Sequence, residues 1–260
     1  MSDKAEQLRA LHRAPPILVL PNAWDAVSAR LFQVEGFPAI GTTSAGVAAA
    51  LGYPDGGTVP PREMIEAVAR IVRAVRVPVT ADIEHAYGAT PDAVADNVLR
   101  VIAAGAVGIN IEDYVPGAAQ LEPLTLQTDK IATIARAAKT SGVRVVINAR
   151  TDVFLRGIGA PETRLGVAVE RGRAFLAAGS DCVFVPGVRD SETIGALVKG
   201  TPRIAELEAL GVARVSVGSG PHRAALALTR DAARELRTKG TYTSFTSHAL
   251  TPDETNDLMR

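Results

Sequence analysis

A closed barrel of alternating parallel strands and helices, (β/α)8 in class, is the architecture this sequence predicts. Three observations lead there. Short β-branched or apolar runs alternate with longer amphipathic stretches along most of the chain, the pattern of a parallel sheet covered by helices. Acidic residues gather at the C-terminal ends of successive runs, where barrels place their chemistry, whereas an open doubly wound sheet would concentrate its site at one switch point. The length of 260 residues suits one such barrel, and no glycine-rich phosphate loop follows the first strand, since Leu20 leads into Pro21, Asn22, Ala23, Trp24 and Asp25.

The predicted strands are Ile17–Leu20, Ala39–Thr43, Pro78–Ile83, Val107–Glu112, Arg144–Ala149, Cys182–Pro186 and Arg214–Gly218. Between them the helical pattern covers Asp25–Glu35, Pro61–Val75, Pro91–Ala104, Gln127–Thr140, Pro161–Ala178, Ser191–Lys199 and Arg203–Leu210. Thr90, Pro91 and Asp92 combine an N-cap, a first-turn proline and an early acid. Gly36, Gly105, Gly142, Gly179 and Gly211 each close a helix before the next strand. Helix follows helix across Gly200, Thr201 and Pro202, so a strand is missing and seven are visible where a closed barrel needs eight. Either the seventh strand is lost, or it belongs to residues absent from the sequence as read. The second is favoured, because a gap would leave two unpaired edges inside the wall. The barrel domain is expected over residues 1–237. Ser219–Arg237 reads as one long helix, and a polar tail, 238–260, is too short of core residues to form a domain.

Lys plus Arg and Asp plus Glu each number 28, so there is no basic excess and no expectation of nucleic-acid binding. A single cysteine, Cys182, excludes an intramolecular disulfide framework and fits a reducing, cytoplasmic setting. The charged start, MSDKAEQLRALHRAPP, lacks the apolar run of a signal peptide, and no stretch reaches the ~18 apolar residues of a membrane span.

The strongest chemical signal is Asp82, Ile83, Glu84, His85, Ala86, Tyr87, Gly88 at the end of the third strand. Asp82 and Glu84 are two apart, so extended backbone puts both on one face. Glu112 and Asp113 end the next strand. Three carboxylates at adjacent strand ends repel one another unless a cation lies between them, and an all-oxygen set with room for water describes Mg²⁺ better than Zn²⁺. Each acid taken singly could instead cap the helix after its strand. Asn148, Ala149, Arg150, Thr151 and Asp152 end the fifth strand. Arg150 there can grip a carboxylate through two parallel hydrogen bonds, or tie the acidic rim together. Gly41 to Val47 is a run of small residues at a strand-to-helix turn, able to offer backbone N–H groups to an anion. Asp55, in the following loop, is placed to reach the site.

Taken in order, Leu51-Gly52-Tyr53-Pro54-Asp55, Asp82-Ile83-Glu84 with Tyr87-Gly88, Glu112-Asp113 and Asn148-Ala149-Arg150-Thr151-Asp152 resemble the isocitrate lyase / phosphoenolpyruvate mutase superfamily, over about Leu18 to Gly218. The resemblance implies an α/β barrel enzyme, often a homodimer or homotetramer whose subunits exchange a C-terminal helix. It also implies a Mg²⁺ that holds a small α-keto acid or its enolate. By it Asp82 is the direct metal ligand, with Glu84 and Glu112 acting mainly through water and Asp55 joining the network. Thr43, Ser44 and Ala45 line a carboxylate-binding turn and Arg150 contacts substrate. The catalytic set is then Asp55, Glu112 and Arg150. The chain departs from the named branches as well. Tyr114–Leu124 replaces the Lys-Lys-Cys-Gly-His lid of the lyases and the Lys-x-Asn-Ser lid of the mutases, Gly41 replaces a tyrosine, and Pro186-Gly187 stands where those enzymes carry Glu or His. Cys182, inside the sixth strand, reads as packing. The expectation is a Mg²⁺-dependent lyase that cleaves a C–C bond in a 2-oxo or 2-hydroxy carboxylate of oxaloacetate size. The alternatives are P–C chemistry, as in phosphonopyruvate hydrolase or carboxyphosphonoenolpyruvate mutase, and a binding protein that holds keto acids without turnover.

Overall fold

The structure is a computed structural model that describes residues 1–13, 16–188, 190–200, 212–243 and 249–260. Its strands are β1 (Leu18–Leu20), β2 (Asn22–Ala23), β3 (Ile40–Thr42), β4 (Val79–Asp82), β5 (Gly108–Glu112), β6 (Val146–Arg150), β7 (Cys182–Phe184) and β8 (Arg214–Ser216). All pairings are parallel, in one ladder β1-β8 and another β2-β3-β4-β5-β6-β7. β1 and β2 are one strand divided at Pro21, which has no N–H to give a ladder but whose carbonyl accepts from the Gly41 N–H at 2.9 Å. The two ladders therefore run on into a single wall, and all seven predicted strands stand in it.

Among the described residues no ladder joins β7 to β8. The predicted helix Arg203–Leu210, Gly211 and the place of a seventh strand lie outside the described residues, in 201–211. The chain reaches that stretch directly from its eighth helix.

The helices are α1 (Ser2–Leu11), α2 (Ala26–Val34), α3 (Ser44–Leu51), α4 (Pro61–Ala74), α5 (Pro91–Ala103), α6 (Leu124–Thr140), α7 (Arg164–Ala177), α8 (Ser191–Gly200), α9 (Gly220–Lys239) and α10 (Pro252–Leu258). Helix starts follow the side chains that can satisfy free N–H groups. Asp25 and Ser28 form a reciprocal capping box on α2, and Thr90 accepts from the Ala93 N–H on α5, as its sequence signature predicts.

Three helices went unread in the sequence. α1 carries few apolar residues, but it lays Ala5 and Leu8 into the main core with Leu18, Leu20 and Ile109. Its buried Arg9 bonds to Asp181 and to the carbonyls of Arg144 and Val145, closing the N-terminal ends of β6 and β7. α3 is the run of small residues after β3, capped by Thr43. α10 lies in the segment expected to be a plain polar tail. Thr251 and Glu254 cap it reciprocally, Leu258 is buried, and the Leu258 carbonyl accepts from Arg30 of α2.

α9 differs from the others. Its start is held by His222, whose ring lies 5.3 Å from that of Trp24. Beyond it Leu226, Leu228 and Leu236 are about half exposed, and only His222 and Ala232 of the helix are buried. Among the described residues no helix is long and apolar enough to cross a membrane.

Candidate active site

Strand register builds the site. The β4–β5–β6–β7 ladder sets Asp82, Asn110, Asn148 and Cys182 side by side, and two residues further on sets Glu112, Arg150 and Phe184 side by side. Alternation sends both rows into the barrel while Ile109, Ile111, Ile147 and Ala149 pack outward, all buried. The lower row is a polar relay: Asn148 donates to Asn110, and Asn110 approaches Asp82 Oδ1 at 3.5 Å. In the upper row Arg150 Nη1 meets Glu112 Oε2 at 2.9 Å, and its guanidinium stands 5.8 Å from the centre of the Phe184 ring.

Both rows open on a cavity of about 530 Å³. Every predicted site residue lines it: Thr43, Ser44, Ala45, Asp55, Asp82, Glu84, Glu112 and Arg150. Their environments differ. Asp82 Oδ2 accepts both the N–H (3.1 Å) and the hydroxyl (2.8 Å) of Ser44, while the Asp82 N–H donates to Thr42 Oγ1 at 2.8 Å. The small-residue turn after β3 thus spends Ser44 on orienting Asp82, and the Thr43 hydroxyl caps α3. Glu84 arrives by a route other than strand alternation. β4 ends at Asp82, and Glu84 takes a left-handed backbone (φ 52°), followed by Ala86 (62°) and Tyr87 (56°). Such strain in non-glycine residues is held by surrounding packing and concentrates at functional sites. Glu84 Oε1 accepts from the Gly57 N–H at 3.0 Å, and Oε2 is buried without a partner among the described residues.

Burial pushes the Glu112 carboxyl up to about 8, Arg150 opposing and Asp82, Asp152 and Glu84 adding to the rise. Burial likewise raises Glu84, against the Gly57 N–H. For Arg150 burial works against the charge, yet Glu112 and Asp152 outweigh it and hold the guanidinium more firmly protonated than usual. Arg150 also grips Asp152 through two bonds of 2.5 and 2.8 Å.

Asp113 lies outside the cavity. It follows Glu112 and so faces the other way, where Arg171 Nη1 pairs with it at 2.9 Å and the Asp152 N–H donates to it. Arg171 also binds the Glu122 carbonyl, and fully buried Lys130 grips the Glu122 carboxylate at 2.6 Å, which pins the end of the Tyr114–Leu124 segment. No cysteine or histidine lines the cavity among the described residues. Burial drives the Cys182 thiol up to about 11, in keeping with its packing role. Gly41 has a steric reason: a Cβ there would come within 2.9 Å of Asn22 Nδ2 and 3.0 Å of Leu20. Asn22 occupies that space and accepts from the N–H groups of Val217 and Gly218, bracing β8.

Among the described residues no three acid, imidazole or thiol groups gather closely enough to ligate one ion together. The donors nonetheless fit a hard cation that keeps much of its water. Asp82 presents an oriented carboxylate, Glu84 Oε2 is a buried acceptor without a partner among the described residues, and Glu112 is a carboxyl that burial and the neighbouring acids push up, against Arg150. Sequence reasoning missed Asn22, Asn110 and Arg214, all of which line the cavity. Asparagines and an arginine inside runs that should be apolar barrel strands were the available signal.

Comparison with known proteins agrees with this geometry. A family model described as phosphoenolpyruvate phosphomutase matches residues 8–237. An uncharacterized protein of Mycobacterium tuberculosis is 38% identical over 87% of each chain. An oxaloacetate decarboxylase of Rhodopseudomonas palustris is 32% identical over 76% of this chain and 68% of its own. Among solved structures, a 2,3-dimethylmalate lyase superposes with a TM-score of 0.84 at 26% identity, covering 99% of this chain and 95% of its own. An oxaloacetate acetylhydrolase bound to oxalate gives 0.86 at 25%, covering 98% and 93%.

Proposed function

We propose a reaction for this chain from a settled premise: it belongs to the phosphoenolpyruvate phosphomutase family, within the isocitrate lyase / PEP mutase superfamily of C–C lyases and mutases. The reaction is Mg²⁺-dependent C–C cleavage of a small 2-oxo acid, specifically loss of the 3-carboxylate from an oxaloacetate-like substrate. The observation that supports it is a cavity with an oriented carboxylate, Asp82, and no cysteine or histidine among its described lining residues. Cleavage of a hydroxy acid needs a base to take the hydroxyl proton and an acid to return one to carbon. Decarboxylation of a 3-carboxy-2-oxo acid needs no base. The C3–C4 electron pair moves toward the C2 carbonyl oxygen, neutral CO2 leaves, and one proton later reaches C3. Glu112, buried and slow to ionise, is the chain's own candidate for delivering that proton.

Asp82 would hold the metal, with Glu84, Glu112 and Asp55 reaching it through water. When bound, Mg²⁺ stabilises the negative charge that develops on the carbonyl oxygen. Arg150 fixes Glu112 and Asp152 at the rim. The oxaloacetate decarboxylase among the relatives supports this chemistry for the family's scaffold.

The test is pyruvate release from oxaloacetate, corrected for spontaneous decay, with Mg²⁺ and with chelator, alongside methylisocitrate and phosphonopyruvate. Mg²⁺-dependent pyruvate formation from oxaloacetate is the expected outcome. Phosphate release from phosphonopyruvate would replace the reading with P–C chemistry, and binding of several acids without turnover would make the protein a keto-acid binder.

A further inference from the structure

The two acids at the end of β5 serve different sides of the wall. Glu112 lines the cavity, whereas Asp113 is fully buried behind it. Every polar group of Asp113 is bonded. Its N–H donates to the Arg150 carbonyl at 3.2 Å, and its carbonyl accepts the Glu122 N–H at 2.8 Å. Its carboxylate accepts the Asp152 N–H on Oδ1 and Arg171 Nη1 on Oδ2, both at 2.9 Å. Arg171, on α7, also donates from Nη2 to the Glu122 carbonyl at 2.7 Å. One arginine thus ties together the end of β5, the end of the Tyr114–Leu124 segment and the turn after β6.

These bonds lead on into the site. Asp152, whose N–H Asp113 holds, accepts Arg150 on both carboxylate oxygens at 2.5 and 2.8 Å. Arg150 Nη1 then meets Glu112 Oε2 at 2.9 Å. A planar guanidinium gripped along one edge by two parallel bonds points its remaining corner in one direction. Its aim at Glu112 is therefore as firm as the place of Asp152, which Asp113 and Arg171 set from behind. A buried ion pair adds little stability by itself, because taking both charges out of water offsets their attraction. An apolar pair could fill the same space, but it could not hold the Asp152 N–H or the Glu122 carbonyl.

We propose that Arg171 is a positioning residue: through Asp113 and Asp152 it fixes the guanidinium of Arg150 against Glu112 without touching substrate. This rests on the reading of Glu112 as proton donor given above. A displacement of about 1 Å imposed from outside a site can cost on the order of 10²-fold in rate. The metal side of the cavity has its own supports, since Ser44 and Thr42 orient Asp82. Loss of Arg171 should therefore strike the chemical step and spare binding.

The experiment compares wild type with Arg171→Met, Arg171→Lys, Glu112→Gln, and Glu112→Gln combined with Arg171→Met. It reads kcat and KM on oxaloacetate with Mg²⁺, and the nitrogen-resolved proton resonance of the Arg150 Nε–H, identified by its absence from Arg150→Lys. Arg171→Met is expected to lower kcat by about 10- to 100-fold with KM within a few-fold, and to shift and broaden the Arg150 resonance. Arg171→Lys can keep the pair with Asp113 but cannot also span to the Glu122 carbonyl, so it should recover part of both. With Gln at 112, adding Arg171→Met should cost less than about 2-fold more, because the two residues act as one unit. If Arg171→Met alone does not fold, Asp113→Asn with Arg171→Met leaves no unpaired buried charge and replaces it in each comparison. An undiminished further loss in the Glu112→Gln background, a rise in KM alone, or an unchanged Arg150 resonance would each overturn the assignment. An altered Arg150 resonance in a protein that releases no pyruvate would uphold Arg171 and sink the decarboxylase reading. The same resonance change with full kcat in Glu112→Gln would uphold Arg171 and sink Glu112 as proton donor.

Discussion

The β4–β6 quadrant and the β7–β8–α9 side of this molecule solve opposite problems. In the first, most of the charged groups stand beside a partner: Asp82 with Ser44 and Asn110, Glu112 with Arg150, Asp113 with Arg171, Glu122 with Lys130. On the second side, β8 is only half-buried, Arg214 Nη1 has no acceptor among the described residues, and α9 shows three leucines about half exposed. Satisfied polar networks set a rigid geometry, and each unsatisfied group calls for its own explanation. The first region keeps a site in shape, and the second leaves apolar and polar groups without cover among the described residues.

The sharpest way to break that contrast is Asp82→Ala. On the satisfied side, removing the one carboxylate that Ser44 orients should lower Mg²⁺-dependent turnover by about 10²-fold or more, with circular dichroism unchanged. The lost side chain lines the cavity and fills no apolar core, so folding should survive. Wild-type activity and Mg²⁺ affinity in the variant would remove Asp82 from the metal site.

On the open side the expected effect falls on assembly. The proposal is a homodimer or homotetramer in which α9 covers a neighbouring subunit, since a solitary helix rarely leaves Leu226, Leu228 and Leu236 in water together. Deletion from Ser219 onward should give insoluble or monomeric protein in light scattering. A soluble, fully active truncated monomer would show that these leucines need no cover.

Glu112 sharpens the comparison through pH. In metal-free protein its carboxyl keeps its proton up to about 8, whereas in the unfolded chain it ionises near the ordinary 4.5. Between those values the native state binds more protons, so this group lowers stability as pH rises from about 4.5 to about 8 and adds no further change above. Glu112→Gln cannot titrate. The difference in thermal midpoint, variant minus wild type, should therefore grow across that window and level off beyond it. A difference that is flat or shrinks with pH would mean that Arg150 dominates and Glu112 is ionised throughout.

What could be read in the sequence follows the same division. Strands with β-branched runs and the capped start of α5 stood out because the signal is local, and the acidic ends of β4 and β5 were visible as composition. Register was not. Nothing in one sequence says that Asn110 and Asn148 stand beside Asp82, or that Arg214 stands beside Leu18 and so points inward. α1 was missed because Ala5 and Leu8 count only once β5 and β6 exist to receive them. Glu84 was placed at the site for an incomplete reason, since a left-handed turn and not strand alternation delivers it.

The smallest expected effect sits on the border between the two regions. Cys182 stands in register with Asn148 of the satisfied row, and its thiol shares a small space with Arg214 of the open side. A buried thiol pushed up to about 11 is neutral at physiological pH and offers neither a nucleophile nor a ready proton donor. Cys182→Ala removes one packed sulfur and should cost about 1 kcal/mol, with turnover within a few-fold of wild type. Cys182→Ser tests the same point without the loss of volume, and its kinetics should match those of the alanine variant. A loss of ~10²-fold in kcat in both, with the fold intact, would make Cys182 the acid that the lid lacks and would move proton delivery from Glu112 to β7.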